Sequence, residues 1–176
     1  MGVTPTSTDS VMIRAARTSD IRAIAEIIQP LVNEGVLLGK DLVVLYESVQ
    51  EFVVATDSAG EIIGCGALHV FWEDLGEVRS LVVVPSMRKR GIGHQLLSVL
   101  EANAKELGLR RLFCLTFEVE FFSEAGFEIH PDVAVDPDVY VELVRSPDEG
   151  VAEFLDLARV KPNTLGNSRM VKTLAP

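Results

Sequence analysis

Residues 81–97, LVVVPSMRKRGIGHQLL, constrain this chain more than any other stretch. An apolar run ends at Pro85, three basic residues follow, Gly91 and Gly93 flank Ile92, and an amphipathic segment begins. A strand that delivers a glycine-bearing turn to the start of a helix gathers backbone N–H groups that have no partner inside the helix, and the helix dipole adds partial positive charge there. Such a turn suits a pyrophosphate. Glycine at 91 and 93 removes the Cβ that would hold an anion off, and Arg88, Lys89 and Arg90 supply counter-charge. A solvated basic turn after an ordinary strand has the same composition, so the pattern alone defines an anion site without an owner.

The flanking periodicities place this turn in an α/β chain. MIRAAR, from Met12, reads as a strand ending at an N-cap signal, Thr18 or Ser19 before Asp20. Helical spacing follows over Ile21 to Leu31, limited by Pro30 and Gly35, and again over Asp41 to Gln50, with Leu42, Leu45, Tyr46 and Val49 on one stripe. FVVAT, EIIGCGALHV and LGEVRSLVVVP are three strands with short polar links, which predicts an antiparallel meander. A helix from Gly91 to Gly108 carries Ile92, Leu96, Leu97, Leu100 and Ala104 on its apolar face. RRLFCLTF is reached across that helix and is therefore expected parallel to the strand ending at Val84. VEFFSEAGF reads as a short helix closed by Gly126, with Phe127 opening a further strand. Residues 131–147, with three prolines, read as an irregular or partly helical excursion, and NSRMVKTL as a terminal strand. The expected architecture is a mixed central sheet flanked by helices, in one domain over 11–176 after a flexible lead-in at 1–10.

A chain of 176 residues has room for one well-buried core. Its net charge of −10 argues against a nucleic-acid partner, which needs a basic face, so the basic cluster at 88–90 is a local anion site. No run approaches the about 18 apolar residues of a membrane span, and the N-terminus lacks the regions of a signal peptide. The expectation is a cytoplasmic protein without a membrane partner. Met1-Gly2 with Thr6 fits a myristoylation pattern, but no polybasic second signal follows. Cys65 and Cys114 fall in expected strands and read as buried reduced thiols. His69, His94 and His130 are scattered, no side-chain role is assigned to them, and no metal site is expected.

Arg88-x-x-Gly91-x-Gly93 after a strand ending in Val-Pro, followed at a distance by Phe121-Phe122-Ser123-Glu124-Ala125-Gly126-Phe127, resembles the GNAT superfamily of N-acetyltransferases over roughly residues 12 to 130. The resemblance implies the GNAT fold and acetyl-CoA as co-substrate. By it, backbone amides from Arg90 through Gly91, Ile92, Gly93 and His94, with Arg88 and Lys89 nearby, hold the pyrophosphate, and the Phe122 helix lies beside the thiol. The family splays the strand at Leu81, Val82 and Val83, so that Leu81 and Val83 offer backbone groups to the acetyl carbonyl and the pantetheine arm; such hydrogen bonds stabilise a tetrahedral oxyanion. An amine attacks a thioester only when neutral, which calls for a proton acceptor. Glu77 is the candidate: it lies eleven residues before Arg88, as in some family members, and four before Leu81, which under strand alternation places both on one face. The alternative for Glu77 is an edge charge paired with Arg79. Phe122 stands where many relatives carry a tyrosine that protonates the leaving thiolate. Phenylalanine has no proton to donate, which leaves three arrangements open: bound water as the acid, no acid at all, or acyl-CoA binding without turnover.

GVLLGKDL at 35–42, the strand pair, the FF-x-x-x-GF helix and the tail NSRMVKTL are similar to the acetyltransferase domain of N-acetylglutamate synthases, in particular the short free-standing bacterial form. That similarity adds residues 150–174. It implies transfer of acetyl to the α-amine of glutamate, with glutamine open, as the first step of arginine biosynthesis. An α-amino acid needs a carboxylate clamp. Lys40, Asn167, Ser168 and Arg169 match the family's acceptor regions, and Arg79, on the Glu77 face, is a further candidate. Direct attack in a ternary complex is expected, since neither cysteine has an evident activating base. A homodimer is expected from the family. Other readings are an acetyltransferase for another small amine or a protein N-terminus, and a non-catalytic acyl-CoA sensor.

Overall fold

Apolar strands and amphipathic helices resolve into one mixed sheet covered on both faces in the computed structural model, which describes residues 10–132, 135–155 and 166–176. The strands are β1 (Met12–Ala15), β2 (Phe52–Thr56), β3 (Ile62–Val70), β4 (Leu75–Val83), β5 (Arg111–Thr116), β6 (Glu128–Ile129) and β7 (Ser168–Thr173), in the order β1-β2-β3-β4-β5-β7-β6. β1 to β4 form the antiparallel meander, β5 is parallel to β4, and β7 runs antiparallel between β5 and β6. The helices are α1 (Ile21–Asn33), α2 (Leu42–Glu47), α3 (Ile92–Glu106), α4 (Val119–Glu124), α5 (Pro137–Leu143) and α6 (Glu149–Phe154). No helix among the described residues is long and apolar enough to cross a membrane.

Each helix covers the face its period selects. α3 buries Ile92, Leu96, Leu97, Leu100 and Ala104 in one cluster with Val53, Ala55, Leu68 and Val78. α1 buries Ile21, Ile24 and Ile28 on the other face with Val54, Cys65, Ala67 and Val82. A third cluster on that side joins Phe71, Phe113 and Phe154 with Leu143 and Val151, its rings 4.2–5.4 Å apart.

Several boundaries differ from the sequence expectation. α1 continues past Leu31 because Pro30 is exposed, where its missing N–H faces solvent. The single helix expected over Asp41 to Gln50 is α2 followed by a 3-10 turn at Val49–Glu51, and of its stripe only Leu45 is buried. The excursion at 131–147 contains α5; Val133 and Ala134 lie outside the described residues, as does the lead-in apart from Ser10.

The largest difference lies in β4. Cys65 pairs with Val82 and Ala67 with Arg79, so β4 carries one more residue than β3 between those pairs. Ser80 takes the left-handed conformation (φ 53°) that accommodates this bulge. An inserted residue reverses the alternation of everything beyond it. Glu77 and Arg79 therefore face His69 and Ala67, while Leu81 packs with the α3 cluster on the opposite side. The expectation that Glu77 and Leu81 share a face is thereby corrected. The ladder to β5 also ends at Glu77–Phe113, and from Val78 onward β4 and β5 diverge.

The N-cap expected at Thr18 or Ser19 is replaced by Asp20, whose buried carboxylate accepts from the Arg17 backbone (2.7 Å) and from both Arg14 terminal nitrogens (2.7 and 3.1 Å), tying β1 to the start of α1. The Arg14 hydrogen bonds outweigh burial and hold this carboxyl below its ordinary range. Its contribution is therefore complete above that range and is lost as pH falls through the lowered pKa. Asp20→Ala is expected to cost about 1–3 kcal/mol in urea unfolding at neutral pH, and the gap to the parent should narrow in acid.

Candidate active site

Where β4 and β5 diverge, a cleft of ≈ 520 Å³ opens, lined by Leu81, Val82 and Val83 on one side and by Thr116, Phe121 and Phe122 on the other. Its end is the turn before α3. Lys89 (φ 62°) and Gly91 (φ 78°) both take left-handed backbone there, and the first donor into the α3 ladder is Gln95 N, to Gly91 O at 3.1 Å. Ile92, Gly93 and His94 thus present their N–H groups ahead of the ladder, at the positive end of a 15-residue helix. Arg88 donates from Nε to Val83 O (3.2 Å), bracing the turn against the end of β4. Gly93 is required for a different reason from Gly91: a Cβ there would meet the Phe121 ring at 3.1 Å. Lys89 and Arg88 line the cleft, whereas Arg90 is exposed and outside its lining. Phe122 is buried in the cleft wall, edge-on to Phe121 and Phe127.

A second cavity of ≈ 340 Å³ lies against the earlier part of the same strand, with Glu77, Val78, Arg79 and Ser80 as its floor. Segments 36–41 and 147–150 form its walls with Val44, Leu115, Glu153 and Asn167. Glu77 is only 5% exposed. Burial pushes its carboxyl above the ordinary range, Arg79 opposes this, and the Asp148 charge adds to the rise. Arg79 donates from Nε to Glu77 Oε2 (2.7 Å), and its Nη2 contacts the same oxygen. The other side of the guanidinium meets Asp148, Nη1 to Oδ2 at 3.0 Å and Nη2 to Oδ1 at 3.1 Å. Asp148 also accepts from Val151 N at the start of α6 (2.9 Å) and lies 3.6 Å from Lys40 Nζ. Burial alone would raise the Asp148 carboxyl, but the Arg79 hydrogen bonds and charge, with Lys40, hold it well below its usual value. Arg79 stays charged, because its two carboxylates outweigh the burial that works against it.

The structure brings Lys40, Arg79 and Asn167 together in this cavity. Asn167 donates from Nδ2 to Glu153 Oε1 (2.9 Å). Ser168 and Arg169 do not line it. Ser168 pairs with Thr116 and shares its face, that of the first cleft, while Arg169 donates to Phe154 O (2.7 Å) and lies over the Phe154 ring. Sequence reasoning missed Asp148. Its one signal was a helix-capping pattern, an aspartate directly before EGVAEF, which marks an N-terminus and says nothing of a partner on β4. Both cysteines are buried free thiols; burial pushes Cys65 up to about 12 and raises Cys114 as well, so neither supplies a thiolate nucleophile.

A diverging strand pair with a helix N-terminus at its mouth and a buried carboxylate beside it is an arrangement for acyl transfer from a thioester of a phosphorylated carrier. The acetyltransferase (GNAT) family model matches residues 29–127, and the chain belongs to that family. Over 165 residues it is 51% identical to an amino-acid acetyltransferase of Mycobacterium tuberculosis, covering 93% of this chain and 94% of the relative. A crystal structure of a Mycobacterium tuberculosis protein in complex with CoA superposes with a TM-score of 0.89 at 51% identity, over 93% of this chain and 99% of that one. The N-acetylglutamate synthase of Neisseria gonorrhoeae, solved with coenzyme A and N-acetyl-glutamate, superposes with a TM-score of 0.75 at 29% identity; 95% of this chain covers 36% of that longer protein.

Gly93→Ala is expected to push Phe121 into the cleft and raise the CoA dissociation constant about tenfold by calorimetry. An unchanged constant would show that the Phe121 contact does not shape the cleft.

Proposed function

We propose that the protein transfers acetyl from acetyl-CoA to the α-amino group of L-glutamate, with L-glutamine as the alternative acceptor, as the first step of arginine biosynthesis. The observation that carries this reading is the succession of two cavities along β4, the cofactor cleft at Leu81–Val83 and the charged cavity at Glu77–Ser80. The names of the relatives at 51% and 29% identity support the choice of acceptor.

In this reading the pyrophosphate of acetyl-CoA sits at the N–H groups of Ile92, Gly93 and His94, with Arg88 and Lys89 as counter-charge. The thioester lies along the diverged edge of β4, where the Leu81 backbone polarises its carbonyl. Glu77 accepts the proton of the ammonium, directly or through water, and the neutral nitrogen attacks the carbonyl carbon. A C–N bond forms, the tetrahedral intermediate collapses, and the C–S bond breaks with CoA leaving as thiolate. Phe122 has no proton to give, so the thiolate leaves without a side-chain acid at that position. Lys40 and Arg79 provide positive charge to the acceptor carboxylates, and Asn167 a donor. Residues 11–176 act as one domain, supported by β1 and β7 lying in the same sheet. The buried free thiols support a reducing, cytoplasmic setting.

The test is purified protein with acetyl-CoA and a panel of amino acids, following thiol release. Release with glutamate or glutamine and not with other amines is expected; acetyl-CoA binding without release would overturn transfer. Glu77→Gln should lower turnover at neutral pH by about 10²-fold or more. Because the acceptor amine is increasingly neutral in base and then has less need of a side chain to take its proton, the deficit of the variant should shrink as pH rises. An unchanged pH profile would remove Glu77 as the base.

A further inference from the structure

The Arg79 guanidinium is divided between two carboxylates, Glu77 on its own strand and Asp148 at the start of α6. Resting on Glu77 as the base, we propose that Asp148 is a positioning residue for acetyl transfer: it holds the far side of the Arg79 fork, fixing the guanidinium against Glu77 while preventing Glu77 from being the sole counter-ion of a buried cation.

The geometry carries this in three ways. Asp148 is itself immobilised, through Val151 N (2.9 Å), Lys40 Nζ (3.6 Å) and His69 Nε2 (3.9 Å), and His69 is in turn set by Glu51 at 2.7 Å from its Nδ1. Gly150 makes room for the fork: a Cβ at this position would lie 2.8 Å from Arg79 Nη2 and 3.0 Å from Asp148 Oδ1. And one guanidinium charge serves two carboxylates. A buried carboxylate with a cation to itself is a weak base, since the pair favours its ionised form. Sharing the cation leaves Glu77 under-compensated and able to take a proton, while Asp148 keeps its charge. The ionisable groups next to Glu77 are Arg79 on β4, His69 across the ladder on β3 and Asp148 before α6, with Cys114 of β5 on the opposite face of the sheet; Asp41, Glu149 and Glu153 line the same cavity. Lys40 and Glu51 act at one remove, through Asp148 and His69.

Asp148→Asn deletes the charge and retains a side chain that caps helices equally well. The parent enzyme, Asp148→Asn and Glu77→Gln are compared by the pH dependence of kcat/KM with acetyl-CoA and the acceptor identified in the amino-acid panel. The expected result is an acid limb that disappears in Glu77→Gln and moves to lower pH by about one unit in Asp148→Asn, with lower kcat at neutral pH. Loss of activity with the limb in place would mean that Asp148 only supports the fold, and would overturn the inference while leaving Glu77 as base. A limb that survives Glu77→Gln would instead overturn the base reading, and the inference with it. If Asp148→Asn is too slow to assay, carbon-13 NMR titration of the Glu77 carboxyl, assigned by its loss in Glu77→Gln, must show the same downward shift. If it does not fold, Gly150→Ala, which forces Arg79 and Asp148 apart, must move the limb in the same direction; an unmoved limb overturns the inference.

Discussion

One extra residue in β4 governs the rest of the site. The bulge at Ser80 reverses the side-chain alternation along the strand, so Glu77 and Arg79 face one side of the sheet and Leu81 the other. Beside it the ladder to β5 stops at Glu77–Phe113, and the two strands part. The opened edge lies between the face that holds Leu81 and the face that holds Glu77 and Arg79. Both cavities depend on this, one below the bulge and one above it.

The charged floor of the second cavity is costly to build. Glu77 and Arg79 are almost entirely buried, and taking two ions out of water costs several kcal/mol apiece before their attraction is counted. A well-packed apolar pair would serve stability equally well. What the ions do provide is a fixed guanidinium and a carboxyl displaced toward its neutral form, the environment that the proposed base requires. The anion end of the cofactor cleft is made differently. It uses backbone N–H groups and two left-handed residues, Lys89 and Gly91, so its charge is partial, oriented and held by the helix itself.

Much of the fold was legible in the chain. The apolar period of α3, the strand meander, the parallel return of β5 and the terminal strand all follow from patterns that any packing of these residues must satisfy. The conformation of the turn before α3 was legible for the same reason: glycine, basic and apolar positions at fixed spacing form a local structure whose donors need no distant partner. Arg90 is the exception among its basic residues, since which of three neighbouring side chains turns inward is not a local matter.

The charged cavity at Glu77–Ser80 was the part that sequence reached least. Lys40, Arg79 and Asn167 were grouped only through the family resemblance and the alternation that puts Arg79 beside Glu77, and Asp148, which joins Arg79 to Lys40 and α6, was not seen at all. Ser168 and Arg169 carried the same family signal as Asn167, yet alternation along β7 and the carbonyl of Phe154 direct them elsewhere. The amino-acid sequence by itself determined the element order, the core face of α3 and the glycine-bearing turn before it, because each rests on interactions between near neighbours or on hydrophobic period. Only the tertiary structure decided which face Glu77 occupies and which charges surround it. A one-residue bulge inverts the face without changing the composition, and contacts 69 positions apart leave no periodic trace along the chain.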